Sequence, residues 1–367
     1  MHKISVVFLS LFILIFSLCI STYAIDVSAK SAVLIEADSM RTVFDKNKDL
    51  ILPMASTTKI MTAIVTLENA RCDDLVKIEP YMTGIEGSSI YLKAGEELSV
   101  EELLYALMLE SANDAAVALA YHVSGGICEF AELMNEKARA LGLSSTHFDN
   151  PHGLDSESHY TTAYELGVIA AYAMKNPNFK RITSTYKKIL PSRNGSYERL
   201  LINHNRLLRS YEGAIGIKTG FTKKCGRCLV SCAERDGVTL VCVTLNAPND
   251  WQDHTRMLDY GFSRLESVTL SQKHGYVVEL NAINGEKSSF LAETLDDLSV
   301  TLDRDSINIS ATVEAARLIP APIHKGNIVG RIVFYNNGTE IGSVPLYAKE
   351  SISGVRYKKS FLKGLFK

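Results

Sequence analysis

Ser56-Thr57-Thr58-Lys59 sets a hydroxyl and an amine three residues apart. On a helix that spacing puts both side chains on one face, within reach of each other. A serine hydroxyl is a poor nucleophile unless a base stands beside it. A lysine amine can be that base only where burial or a neighbouring cation lowers its pKa. Two further motifs follow, Ser111-Ala112-Asn113 and Lys218-Thr219-Gly220. Ser111 offers a hydroxyl that can relay a proton, Asn113 an amide that can hold Lys59 or a substrate carbonyl, and Lys218 the cation that would depress Lys59. Gly220 would let a substrate backbone approach a strand closely. The N–H of Ser56, in a first helical turn, and the N–H of Phe221, on an edge strand, would be the two donors to an oxyanion. Each motif alone is ordinary surface or capping sequence; the three in this order point to acyl transfer on Ser56.

These groups need a scaffold. Residues 32–37 and 41–44 read as strands around a turn at 38–40. Pro53 lies just ahead of a helix over 56–70, with Ile60, Ile64 and Leu67 on one face. Segments 101–122 and 127–141, split by Gly125-Gly126, and 165–175 read as further helices. Residues 228–233 and 238–245 flank Glu234-Arg-Asp-Gly237 as a hairpin, and 253–265 reads as a closing helix. The pattern predicts an α+β domain, an antiparallel sheet flanked by helices. From Val268 short strand-like runs recur at 276–280, 298–302, 307–311 and 328–335, predicting a small all-β domain that ends near Ala348.

The chain has 367 residues, 46% hydrophobic and 22% charged, with net charge −2. That balance argues against nucleic acid as a partner. Met1-His2-Lys3, the apolar run 4–20 and Thr22-Tyr23-Ala24 predict a signal peptide cleaved after Ala24. An uncleaved anchor is the alternative, and either places the protein at the extracytoplasmic face of the cell membrane or in the cell wall. The expected partition is a signal peptide (1–24), the acyl-transferase domain (25–266), the β-rich domain (267–350) and a basic tail (351–367). In that tail Phe361, Leu362, Leu365 and Phe366 form an apolar stripe bordered by Lys358, Lys359, Lys363 and Lys367 on a helix. Such a segment suits an anionic membrane surface; a solvated tail is the alternative. Of seven cysteines, Cys225 and Cys228 resemble half a zinc site, but no second pair accompanies them. Free thiols packed around a strand are the expectation, a disulfide the alternative.

The three motifs resemble the S-x-x-K, S-D-N and K-T-G signature of penicillin-binding proteins and class A β-lactamases, with the second reading SAN rather than SDN. Residues 53–62 (PMASTTKIMT), 109–116 (LESANDAA), 148–155 (FDNPHGLD), 159–162 (HYTT), 216–222 (GIKTGFT) and 258–262 (LDYGF) extend the likeness. Over about 26–266 the chain resembles the serine-type D-alanyl-D-alanine carboxypeptidases, the low-molecular-mass penicillin-binding proteins, which also carry a β-rich C-terminal domain. The resemblance implies removal of the terminal D-alanine from peptidoglycan pentapeptide stems through an acyl-enzyme on Ser56, and covalent inhibition by β-lactam antibiotics. It implies Lys59 as general base, Ser111 as the route of the proton to the leaving amine, Asn113 as an orienting group, and Lys218 and Thr219 as carboxylate ligands. No metal or organic cofactor is implied. Some members carry a carboxylate-binding arginine ahead of the last catalytic-domain helix. Here 248–254 reads PNDWQDH, so the expectation leaves that task to Lys218 and Thr219, with Trp251, His254 and Arg256 as conceivable helpers.

Two other functions compete. A class A-like β-lactamase would need a glutamate for the deacylating water, and no ExxLN segment lies between Ser111 and Lys218; rapid penicillin turnover would favour it. A non-catalytic wall-binding scaffold would predict a damaged nucleophile or base, whereas every motif residue is present.

Overall fold

The computed structural model describes residues 25–191 and 198–355. The expected signal peptide and most of the expected tail, 356–367, lie outside the described residues.

Ser31–Glu36 (β1), Thr42–Lys46 (β2), Ala214–Thr222 (β3), Gly226–Arg235 (β4) and Val238–Leu245 (β5) make one antiparallel sheet in the order β2-β1-β5-β4-β3. All six residues of β1 are buried, because both faces of the sheet are covered. Val33, Ile35, Val241 and Val243 point into the helical layer. Ala32, Leu34, Leu240 and Cys242 face Met257 and Leu258 of the domain's last helix, on the other side of the sheet. This is the side-chain alternation of a strand, written in a run too apolar to show it as a polar pattern.

Apart from the single turn Leu207–Ser210, the α-helices among the described residues are Lys59–Asn69 (α1), Val100–Leu109 (α2), Asn113–Ser124 (α3), Ile127–Ala140 (α4), Ala163–Met174 (α5), Pro177–Ser184 (α6) and Asp250–Arg264 (α7). Every residue of α1 from Lys59 to Thr66 is buried, as is every residue of α3 from Asn113 to Ala120. Helices buried on all sides sit in the middle of a domain, and the polar residues these two carry there, Lys59, Asn113 and Asp114, are buried with them.

Two expectations are corrected. The helix expected over 56–70 opens as a 3-10 turn, Ala55–Thr58, before α1. The helix expected over 101–122 is broken: α2 stops at Leu109 and α3 starts at Asn113. Between them Ser111 adopts a left-handed backbone, φ 60°. The break is held by long-range bonds, since Asn113 N–H donates to Ser88 O at 2.7 Å, and no local propensity announces it.

After α7 the chain turns all-β. Leu265–Ser271 (β6) pairs with Leu298–Asp303 (β9). Val277–Ile283 (β7), Ser289–Glu293 (β8), Ile309–Ala315 (β10), Ile319–Pro320 (β11), Ile328–Asn336 (β12) and Thr339–Ala348 (β13) form a sheet ordered β10-β12-β13-β8-β7-β11. The β12–β13 hairpin turns on Asn337-Gly338, both at positive φ, as a two-residue primed turn requires. The strand β13, absent from the sequence reading, is half of that hairpin. The chain stays tied past Ala348, through the Ile323–Ile352 and Gly285–Gly354 bridges.

Candidate active site

Three elements that are distant in sequence meet at one cleft of about 360 Å³, lined by Ser56, Ser111, Thr219, Gly220 and Phe221 among others. Ser56 comes from the 3-10 turn, Ser111 from the break between α2 and α3, and the other three from β3, an outer strand of the sheet. Lys59, Asn113 and Lys218 lie behind this lining, buried.

Lys59 Nζ stands 3.1 Å from Ser56 Oγ. It also donates to Asn113 Oδ1 at 2.7 Å and to His152 O at 2.5 Å. A neutral amine has two N–H bonds and one lone pair. With Asn113 and His152 taking the two hydrogens, the lone pair is left for Ser56. Burial drives the Lys59 pKa well below its ordinary value, the charge of Lys218 pushes the same way, and Asp114 opposes them. Burial also lowers Lys218 to about 7, against the opposing pull of Glu110. The Lys218 ammonium donates to Thr219 O at 2.8 Å.

The backs of these groups are secured by the loop over 148–162. Gly153, at φ 86°, passes so close to the 3-10 turn that a Cβ there would lie 2.1 Å from Ala55 O. Thr62 Oγ1 donates to Pro151 O at 2.6 Å. His159 Nδ1 accepts from Asp149 N–H at 3.0 Å, and Thr58 Oγ1 donates to Ala55 O at 2.7 Å. The 2.7 Å contact between Thr58 Oγ1 and His159 Nε2 therefore needs the hydrogen on Nε2. A neutral ring fits its burial, which lowers its pKa to about 4.

Gly220 meets the start of the nucleophile turn. A Cβ there would lie 3.2 Å from each of Met54 O, Ser56 N and Thr57 N. Only glycine lets β3 run this close to the Ser56 amide, which brings the Phe221 residue of the same strand to the cleft. The Phe221 side chain is 65% exposed, so its ring is not what fixes it there.

Comparison with known proteins agrees with this geometry. Residues 19–249 match the family described as D-alanyl-D-alanine carboxypeptidase, and residues 265–353 match the C-terminal domain of penicillin-binding protein 5. The chain belongs to the D-alanyl-D-alanine carboxypeptidase family. It is 33% identical over 334 residues to the D-alanyl-D-alanine carboxypeptidase DacF of Bacillus subtilis, covering 88% of this chain and 86% of that one. Against DacC of Escherichia coli the identity is 31% over 348 residues, with 89% and 84% covered. The crystal structure of penicillin-binding protein 5 from Haemophilus influenzae superposes with a TM-score of 0.71 at 26% identity, covering 91% of this chain and all of that one. The chain is thus a serine-type carboxypeptidase of the penicillin-binding type, with the α+β and all-β architecture of that family.

This carboxypeptidase departs from its sequence reading at the far wall of the cleft. Of the three helpers named from sequence, only Trp251 lines it. His254 is fully buried between Ser231 Oγ (2.5 Å) and Thr244 Oγ1 (3.0 Å), and the Arg256 guanidinium donates to Asp26 O at 3.2 Å. Arg206, Arg227, His204 and Asp250 line the wall instead. Arg227 lies between the two cysteines of the Cys225–Cys228 pair, opposite Phe221 in the β3–β4 register, so the hairpin was the signal that could have found it. Cys225, Cys228, Cys232 and Cys242 are free and buried. Among the described residues no group of three or more His, Cys, Asp or Glu side chains could hold a metal ion.

Proposed function

We propose that Ser56 removes the terminal D-alanine of peptidoglycan stem peptides through an acyl-enzyme. Lys59 takes the Ser56 proton along the 3.1 Å line between them as Oγ attacks the penultimate carbonyl. The tetrahedral oxyanion sits between the N–H groups of Ser56 and Phe221. Its collapse breaks the peptide bond, and the proton reaches the leaving amine of D-alanine by way of Ser111. Water then attacks the ester with Lys59 again as base, regenerating the Ser56 hydroxyl and the shortened stem. Asn113 keeps the Lys59 lone pair aimed at Ser56. Lys218 and Thr219 hold the substrate's carboxylate end, and Gly220 lets the peptide backbone approach β3. β-Lactams would acylate the same oxygen.

The observation that carries this reading is the position of Lys59 Nζ: buried, its pKa lowered, and shared between Ser56, Asn113 and His152. Incubation with a pentapeptide stem and measurement of released D-alanine tests it, with Ser56→Ala as control. Equal release by the variant would sink the mechanism.

The same reading extends to the ends of the chain. Residues 1–24 direct export and the tail expected over 351–367 meets the membrane surface through its part beyond Val355, since Ile352 and Gly354 are tied to the β-rich domain, so the enzyme works beyond the cytoplasm, at the wall; the division at about 266 separates the acyl-transfer domain from the β-rich one. Among the described residues no helix is long and apolar enough to cross a membrane. Protease accessibility of the protein on intact protoplasts, and its release by truncation after residue 355, which leaves the Ile352 and Gly354 bridges in place, would test the two ends separately.

A further inference from the structure

A strand at a sheet edge presents unpaired N–H and C=O groups to any chain that can lie beside it. Proteins blunt such edges with proline, lysine, bulges or brevity. In the six-stranded sheet of the β-rich domain one edge is β11, two residues long and carrying Pro320. The other edge is β10, and it has none of these devices. It runs for seven residues, Ile309-Ser-Ala-Thr-Val-Glu-Ala315, without proline or lysine. Its pairing with β12 is regular over all seven, with no bulge. Six of the seven are exposed, and no strand among the described residues lies on the outer side. Its one charged side chain, Glu314, is neutralised across the ladder by Arg331, with Oε2 to Nη2 at 2.7 Å.

One side of β10 is the unfinished margin of a core. Ala311 lies opposite Phe334 and Val313 opposite Ile332, and both partners are buried in the core of this domain. On the same face Ile309 and Val313 stay 37% and 46% exposed. A strand that completes this row must carry apolar residues at every second position. β10 itself has that pattern. Placed antiparallel to its own copy about Thr312, it sets Ile309 opposite Ala315 and Ala311 opposite Val313 on the core side. On the other side Ser310 meets Glu314, and Thr312 meets its own copy. Apolar groups face apolar ones, a hydroxyl faces the carboxylate, and no like charges are opposed. Only this register pairs all seven residues, and a slip by one would set apolar against polar. Such a self-complementary patch is what a two-fold contact requires.

We propose that β10 is a dimerisation strand: two copies of this chain pair antiparallel about Thr312 and join their six-stranded sheets across a two-fold axis. Seven residues a side fall short of the roughly 20–30 of a standard interface. The pair is therefore weak and reversible, and trapping reads it best. It is independent of the chemistry at Ser56.

The test uses the full chain with Cys19→Ser, Cys72→Ser and Cys128→Ser, which leaves only the four buried thiols. Into this parent Ser310→Cys, Thr312→Cys and Glu314→Cys are introduced one at a time. Under mild oxidation Thr312→Cys should form a disulfide dimer at least about 10-fold faster than either of the others alone. Only residue 312 then lies opposite its own copy, within the Cα reach of a disulfide. Ser310→Cys mixed with Glu314→Cys should crosslink one to the other. Sedimentation of the parent at rising concentration should show reversible association. Val313→Lys, which charges the exposed row, should stay monomeric while keeping the parent's melting temperature and penicillin acylation. Equal crosslinking at all three positions would mean random collision and overturn the proposal. A parent that stays monomeric and a Thr312→Cys chain that does not crosslink would overturn it as well. A crosslink favoured by Ser310→Cys alone would overturn the register about Thr312, and with it the self-complementarity on which the pairing stands.

Discussion

Asn113 Oδ1 accepts a hydrogen bond from Lys59 Nζ at 2.7 Å, while Asn113 Nδ2 donates to Glu86 O at 2.5 Å. The amide is fixed at both ends, so its oxygen is the end that faces the lysine. A neutral acceptor satisfies the amine without stabilising its charged form strongly, which suits a lysine that must be unprotonated to act.

Asn113→Asp should therefore damage the enzyme in a pH-dependent way. A carboxylate in contact with Lys59 favours the ammonium and raises its pKa. The rising limb of the acylation rate against pH should move to higher pH, with a loss of roughly 10–100-fold near neutrality that recovers partly in alkali. Stopped-flow acylation by a fluorescent penicillin measures this. A uniform loss at every pH, with the limb unmoved, would show that Asn113 does not set the base.

Gly220→Ala addresses the approach of β3 to the nucleophile. The new Cβ would lie 3.2 Å from Met54 O, Ser56 N and Thr57 N, tighter than ordinary packing, and backbone atoms have little room to yield. The strand should move outward by a few tenths of an ångström, spoiling the oxyanion site. Acylation should fall by about 10²-fold, while the melting temperature changes little. Wild-type acylation in a folded variant would remove Phe221 from the proposed donor pair.

The chemistry was more legible in the sequence than the geometry that delivers it. Ser56, Lys59 and Lys218 announce themselves by spacing, and β1, β4 and β5 by apolar runs between turn residues. Ser111 did not announce its conformation: Leu107 to Ala118 is rich in helix formers, and the interruption is enforced by Ser88 from a distant loop. The far wall was hidden for a related reason. Arg206, Arg227 and Trp251 converge only because β4 pairs with β3 and α7 returns beneath the sheet, and no local window contains all three. In the β-rich domain Gly342 and Pro345 interrupt the pattern of β13, whereas its hairpin partner β12 reads clearly.

Lys218 should leave a signature in stability as well as in catalysis. Its folded pKa of about 7 lies below the ordinary 10.5. Below about 7 both folded and unfolded chains carry the charge, and the cost of burying it is full. Between about 7 and 10.5 the unfolded chain holds a proton that the folded chain has released, so stability rises with pH. Above that range both forms are neutral. Denaturant unfolding across this window should show wild type gaining stability relative to Lys218→Met as pH increases. A difference that stays flat would mean that the buried lysine keeps its proton throughout.

Gly153→Ala probes whether the 148–162 loop holds the base as well as the fold. At φ 86° an alanine is strained wherever it sits, and here its Cβ would also fall 2.1 Å from Ala55 O. The loop must retreat from the nucleophile turn, at a cost of about 2–4 kcal/mol. Because His152 O accepts from Lys59 Nζ at 2.5 Å, that retreat also frees one N–H of the amine, and its lone pair is no longer aimed at Ser56. The variant should therefore lose penicillin acylation even at temperatures where circular dichroism shows it folded. If it melts early but acylates at the wild-type rate while folded, the loop buttresses the turn without orienting Lys59, and Asn113 alone holds the amine.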